Sequence, residues 1–306
     1  MDNYLISIVG PTAIGKTSLS LAIAKNFKAE IISSDSRQFY KEMSIGTAIP
    51  DTEELQQVKH HFIQDRSIFE DYNVGQFEKD AIDKLNELFK KNNIVIMVGG
   101  SGLYVNAVLK GLDDFPDVDK NIRKELKNKL DKEGIEVLQK QLEKLDPETY
   151  KSIDIDNHQR VIRALEICIG TDKPFSSFLL DKTSERHFIP IKIGLTADRE
   201  IIYNRINERV DLMIENGLIQ EAKNLYKYKN LNALQTVGYK ELFTHFEGEI
   251  ELDFAISEIK KNTRRFAKRQ GTWFRKDSKI KWFDFQEKSE QIIQYIERII
   301  KSKTEI

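Results

Sequence analysis

An apolar run, Tyr4 to Val9, leads into Gly10, four further residues and then Gly15-Lys16-Thr17. A near-continuous apolar stretch that ends at glycine reads as a buried parallel strand, and Lys16 to Asn26 reads as the helix that follows it. The two glycines let the backbone curl so that its N–H groups converge on one point. Lys16 adds a point charge, Thr17 offers a hydroxyl suited to Mg²⁺, and the helix directs its positive end at the same place. Strand, loop and helix in this succession call for an α/β layer. The expected ligand is a di- or triphosphate, cradled by Gly10, Pro11, Thr12, Ala13, Ile14, Gly15, Lys16 and Thr17.

The rest of the chain extends that architecture. Ala29 to Ser34 reads as a second strand ending in Asp35, Ala81 to Lys91 as a helix, and Ile94 to Val98 as a strand that runs into Gly99-Gly100-Ser101-Gly102. Alternation of this kind implies a parallel sheet covered on both faces, with functional groups at the carboxyl ends of the strands. From Asp113 to Ile169 the pattern is helical and highly charged, with breaks near Gly134 and at Asp146-Pro147. Strand character returns at Ile189 to Leu195, and helices are expected from Asp198 to Lys227 and from Ile256 to Phe274. The fold class is therefore α/β, a parallel phosphate-loop core of residues 1–114 and 189–306. A helical insertion of residues 115–188 is expected within it.

Composition narrows the function. The 306 residues carry a formal net charge of −1, yet ten Lys or Arg and a single acid, Asp277, lie between Lys260 and Lys281. Five acids and no base occupy Glu247 to Glu258. Charge segregated in this way, with Phe266, Trp273 and Phe274 interleaved, suits a surface that binds a polyanion such as single-stranded RNA. A single cysteine, Cys168, in the apolar helical run VIRALEICI, fits a reducing compartment and a core position. No long apolar segment of membrane-spanning length and no basic-then-apolar leader is legible, so a cytoplasmic location without a membrane is expected.

A phosphate loop alone admits a nucleotide or metabolite kinase, in which an Asp at a strand end organises Mg²⁺. Here the strand at Ile94 ends in glycines, while Asp35 ends the strand at Ala29. Asp35 could serve Mg²⁺ or accept a proton from a nucleophile, and spacing leaves both open. His60-His61 has no third ligand near it in sequence, which favours a structural or channel-wall role over a metal site.

GPTAIGKT at 10–17, DSRQFY at 35–40, IGTAIP at 45–50, HHFI at 60–63 and VGGSGLY at 98–104 occur in order along nearly the whole chain. They are followed by DNHQRVIRALE at 156–166, GYKEL at 238–242 and TRRFAKRQGTWFR at 263–275. This set resembles the tRNA dimethylallyltransferase family. The resemblance implies transfer of a dimethylallyl group from dimethylallyl diphosphate to the exocyclic N6 of the adenosine 3′ to the anticodon. The phosphate loop would then hold the donor's diphosphate rather than ATP. It also implies Asp35 as the base, Lys16 and Mg²⁺ on Thr17 as stabilisers of the leaving diphosphate, and Arg209, with Arg205 as a second candidate, as its grip. Ser101 would supply a hydroxyl near the bridging oxygen, where the family more often has Thr. For the tRNA anticodon stem-loop the resemblance implies a passage lined by Asp35, Ser36, Arg37 and Gln38. Further contacts would come from Ser101, Arg123, Gln159, Arg160, Val161, Ile162 and Arg163, and stem-phosphate contacts from Lys268, Arg269 and Gln270. A monomer is expected.

Overall fold

The computed structural model describes residues 2–179 and 185–304. Contacts divide the chain into two compact units, Met1–Lys110 with Glu185–Ile306, and Gly111–Ser184. Residues 180–184 of the expected insertion lie outside the described residues.

The first unit holds a six-stranded, all-parallel sheet. In chain order its first elements are β1 (Tyr4–Val9), α1 (Lys16–Phe27), β2 (Ile31–Ser33), α2 (Thr52–Gln57), β3 (His60–His61), α3 (Val74–Leu88), β4 (Ile94–Val98) and α4 (Gly102–Lys110). The strands lie in the order β3-β2-β4-β1, continued by β5 (Ile189–Thr196) and β6 (Lys281–Asp284). β1 is central, with Tyr4 opposite Ile94 on one side and Ile189 on the other. All six of its residues are buried, as a strand covered on both faces requires. Ile6 and Ile8 pack with Leu21 and Ile23 of α1, while Leu5 and Val9 pack with Phe77 and Leu85 of α3 and Val105 of α4. Each such side chain contributes about 1.5–3 kcal/mol by leaving water.

Several limits differ from the sequence expectation for local reasons. α3 begins at Val74 because Asn73 and Gln76 form a reciprocal capping box. β2 is confined to the three residues that pair with β4. β6 adds an edge strand that the polar sequence around it does not announce.

The second unit contains α5 (Lys120–Glu133), α6 (Ile135–Leu145), α7 (Pro147–Ser152) and α8 (His158–Thr171). Helix starts only at Lys120, capped by Asp119, and residues 113–119 are irregular; Pro116 opposes an earlier start. Leu126, Leu138, Leu142, Leu165 and Cys168 form its core. Asp146, only 1% exposed, caps α7 and also accepts from the Ser176 N–H and hydroxyl, so a charged side chain is buried with its acceptors satisfied.

After β5 the first unit resumes with α9 (Arg199–Glu215), α10 (Leu218–Leu225), α11 (Tyr239–Phe246), α12 (Leu252–Phe274) and, past β6, α13 (Ser289–Thr304), whose Ile292 and Ile296 complete the core beside α1. Gly217, at φ 99°, separates α9 from α10 where a single helix was expected. Among the described residues no helix is long and apolar enough to cross a membrane.

Candidate active site

The loop after β1 has the conformation its glycines permit. Gly10 sits at φ 145°, and a Cβ there would lie 2.6 Å from the Leu195 carbonyl oxygen, so the loop can pass over β5 only with glycine. Gly15 caps α1 in the left-handed region. Lys16 folds back beneath the loop and donates to the carbonyls of Gly10 at 3.1 Å and Pro11 at 2.7 Å. Burial lowers its pKa to about 8, partly offset by the nearby Asp35 carboxylate; the Arg209 charge acts in the same direction as burial.

Thr12 to Ser18 line one side of a cleft of about 410 Å³. Asp35 and Gln38, Thr47 to Pro50, and Arg205 and Arg209 of α9 supply other walls. Both arginines reach the loop: Arg205 Nε donates to the Ala13 carbonyl at 2.7 Å and Arg209 to Thr12 Oγ1 at 3.3 Å. Burial, then the charge of Arg205, lowers the pKa of Arg209. Among the described residues no carboxylate forms an ion pair with Lys16, Arg205 or Arg209. The cleft therefore holds three cations that no carboxylate pairs directly, with Asp35, Glu54 and Glu208 lining it beside them.

Asp35 faces that charge from the end of β2. Its Oδ1 accepts from the Arg37 N–H at 3.1 Å, and its own N–H donates to Ser33 Oγ. That leaves the second carboxylate oxygen free to accept a proton. Gln38 is fixed between Ser33 Oγ and the carbonyls of Thr47 and Ala48. Ser101 lies behind the cleft, where its Oγ accepts from the Ser36 N–H and pairs with Ser36 Oγ, both at 3.1 Å. Its immediate neighbour is thus the Asp35–Ser36 turn. Arg37 donates to the carbonyls of Asn232 and Ala233.

Gln270 departs from its expected role. It is 5% exposed, and its amide joins two loops: Oε1 accepts from the Thr12 N–H at 2.9 Å and Nε2 donates to the Gly100 carbonyl at 3.0 Å. A Cβ on Gly100 would collide with that Nε2, so glycine there lets the bridge form. Lys268 and Arg269, two and one positions before it on α12, are exposed. Arg264, one helical turn before Lys268, turns to Asn207 Oδ1 at 2.7 Å.

In the helical unit, Gln159 and Arg160 are exposed in the first turn of α8. Val161 and Ile162 are buried core residues, so their side chains present nothing to an RNA. Arg123 and Arg163 both close on Glu166, with nearest contacts of 2.7 and 3.1 Å.

A further residue escaped the sequence reading. Glu221 of α10 accepts from the N–H groups of Ser44, Ile45 and Gly46 and from the Tyr239 hydroxyl at 2.6 Å. Burial and this carboxylate push the Tyr239 phenol well up, so it remains a donor. The nest pins the segment that supplies Thr47 to Pro50 to the cleft. The signal available was the joint occurrence of IGTAIP and GYKEL.

His60 and His61 form β3; His61 Nε2 meets Glu30 at 2.6 Å, and His60 lines the cleft. Among the described residues no three His, Cys, Asp or Glu gather to hold a metal. Thr17, at the start of α1, lines the cleft, and its Oγ1 is one hard oxygen donor beside an anion site. A single hydroxyl completed by substrate phosphates and water is a donor set that fits Mg²⁺.

Comparison with known proteins agrees with this geometry. The family model described as IPP transferase matches residues 38–277. The tRNA dimethylallyltransferases of Christiangramia forsetii and Flavobacterium johnsoniae are 65% and 59% identical, covering 97% and 98% of this chain and 98% and 99% of theirs. The full-length tRNA isopentenylpyrophosphate transferase of Bacillus halodurans superposes with a TM-score of 0.72 at 39% identity, covering 99% of this chain and 97% of that one. A eukaryotic dimethylallyltransferase solved acting on tRNA gives 0.82 at 26% identity, with 98% and 80% covered. These likenesses carry the prenyl-transfer reading and not the kinase one. With its phosphate loop, its strand-end carboxylate and these relatives, the chain belongs to the IPP transferase family, among the tRNA dimethylallyltransferases.

Proposed function

We propose that the chain transfers a dimethylallyl group from dimethylallyl diphosphate to N6 of the adenosine 3′ to the anticodon of tRNA, releasing diphosphate. The observation that carries this reading is a single cleft in which three cations without a direct ion-pair partner and the Asp35 carboxylate face each other.

The adenine amine is a weak nucleophile because its lone pair is delocalised into the ring. As N6 forms its bond to the allylic carbon, the carbon–oxygen bond to diphosphate breaks and its electron pair leaves with the oxygen. The N6 proton passes to Asp35. Lys16, the loop N–H groups, Arg205 and Arg209 stabilise the charge that grows on the departing diphosphate. When bound, Mg²⁺ on Thr17 supplies further charge neutralisation at the same oxygens. Gln270 keeps the diphosphate loop and the Gly99–Gly102 loop in register. Ser101 acts through Ser36 on the turn that carries Asp35. Gln159 and Arg160 on one unit, and Lys268 and Arg269 on the other, are assigned to tRNA phosphates. The same reading takes the working state as a monomer, and tRNA as substrate supports a cytoplasmic location.

The test is incubation with dimethylallyl diphosphate and unmodified tRNA, followed by mass spectrometry of the nucleosides. One dimethylallyl group on adenosine is expected. Consumption of ATP without a prenylated nucleoside would overturn the assignment.

A further inference from the structure

A second cavity, of about 300 Å³, shares no lining residue with the anion cleft. Ser7 and Val9 of β1 and Lys192 of β5 form its floor, and Val105 and Leu109 of α4 form one wall. The end of α12 at Trp273 and the turn through Asp277 close it.

Two features of this cavity are unexplained by packing. Ser7 is the one polar residue in the otherwise apolar strand-core pattern of β1. It is 1% exposed, and its Oγ has no hydrogen-bond partner. A buried hydroxyl left unpaired costs about 1–3 kcal/mol, which an apolar residue of the same size would avoid. The second feature is charge. Lys192, with a side chain 9% exposed, is paired to Asp277 Oδ2 at 2.6 Å, and Lys110 and Lys276 also border the cavity. Burial alone would raise the Asp277 carboxyl, but the hydrogen bonds from Lys192 and the Lys279 N–H, with the charges of Lys192 and Lys110, together outweigh it and hold the group below its usual range. Lys192 is the buried cation, while Lys110 and Lys276 are exposed at the cavity's edge, so the lining carries three ammonium groups against the one carboxylate of Asp277.

We propose that this cavity binds a small amphiphilic anion, its apolar body against Val105, Leu109 and Trp273 and its carboxylate or phosphate head at Lys192 and the Ser7 hydroxyl. A pocket with apolar walls and a few converging polar groups is the usual form of a small-molecule site. An anion would satisfy the orphaned hydroxyl and offset the excess positive charge. A neutral ligand would leave that charge uncompensated, and a cation would add to it. Because the two linings have no residue in common, the proposal places this site apart from prenyl transfer.

The experiment is calorimetric titration of the full chain with octanoate, with octyl phosphate as a second head group and with octanol and octylammonium as neutral and cationic counterparts. Saturable binding at one site per chain is expected, unchanged when pyrophosphate fills the anion cleft. Octanol and octylammonium should bind at least about tenfold more weakly, ~1.4 kcal/mol. Octanoate binding alone would assign the head to carboxylates, and octyl phosphate binding alone to phosphates. Ser7→Ala and Leu109→Phe should each weaken binding several-fold. A Trp282→Phe background lets Trp273 emission report occupancy in chains whose thermal transition is intact. No saturable heat, equal affinity for octanol, loss of binding under pyrophosphate, or indifference to both substitutions would each overturn the proposal.

Discussion

The helical unit and the anion cleft treat arginine in opposite ways. In the helical unit Arg123 and Arg163 converge on Glu166, a carboxylate 7% exposed in its side chain, and the three charges nearly close on themselves. In the cleft, Lys16, Arg205 and Arg209 are oriented by neutral oxygens: the carbonyls of Gly10, Pro11 and Ala13 and the hydroxyl of Thr12. A carbonyl aligns a cation without cancelling its charge. The same side-chain chemistry therefore serves cohesion in one place and stores field for an anionic ligand in the other. The depressed pKa of Lys16 is the signature of that storage, since burial disfavours a charge that no paired carboxylate offsets.

The contrast can be broken at five points. The largest effect belongs to Asp35: Asp35→Asn should slow transfer by roughly 10²–10⁴-fold while tRNA affinity holds. A single-turnover assay beside a filter-binding assay checks this, and an unaltered rate removes Asp35 as base. Gln270→Glu would set a carboxylate against the Gly100 carbonyl. Losing that buried hydrogen bond, worth about 1–3 kcal/mol, should cut kcat/KM by roughly ten- to a hundredfold, with the salt slope of tRNA binding unmoved. A changed slope and an unchanged rate would return Gln270 to the RNA surface.

The pH dependence of Lys16 comes next. As pH rises through about 8 the free protein loses this proton while the diphosphate complex keeps it. Affinity for diphosphate should then fall by up to about tenfold per pH unit, with proton uptake on binding visible in calorimetry across buffers of different ionisation heat. For folding the sign is opposite: between about 8 and the ordinary lysine range of 10.5 the unfolded chain holds the extra proton, so stability from this group rises with pH.

Glu166→Gln should cost about 1–3 kcal/mol of unfolding stability and leave diphosphate affinity alone. Burial pushes the Glu166 carboxyl up, but hydrogen bonds from Arg123 and Arg163 prevail and lower it. Its stabilisation is therefore present above the ordinary carboxylate range and lost as pH falls through the lowered value; chemical denaturation at two pH values checks both points. The smallest effect is expected from Lys268→Ala with Arg269→Ala. These exposed cations should weaken tRNA binding a few-fold and reduce the magnitude of its salt slope by about 2.

The legible part of this molecule was the part dictated locally. Strand β1, the loop with its two left-handed or strained glycines and helix α1 follow from adjacent residues, as do the breaks at Gly134 and at Asp146-Pro147. The basic stretch was legible as composition, but not which of its cations are exposed. Arg264 turns inward to Asn207 and Lys260 pairs with Asp211, while Arg265, Lys268, Arg269, Arg275, Lys276, Lys279 and Lys281 are exposed. The motif QRVIR likewise mixes two exposed residues with two of the helical core, because a helix turns successive side chains away from one another.

By itself, the amino-acid order determined that the chain would build an anion cradle on a parallel sheet, since glycine tolerance, strand periodicity and helix polarity act over a few neighbouring residues. Only the tertiary structure decided which groups meet around that cradle. Gln270 reaches Thr12 across 258 positions, Arg205 reaches Ala13 across 192, and Glu221 holds a turn more than 170 residues before it. Contacts of that span depend on how layers pack, and no local pattern in the sequence encodes which distant polar atom a buried side chain will find.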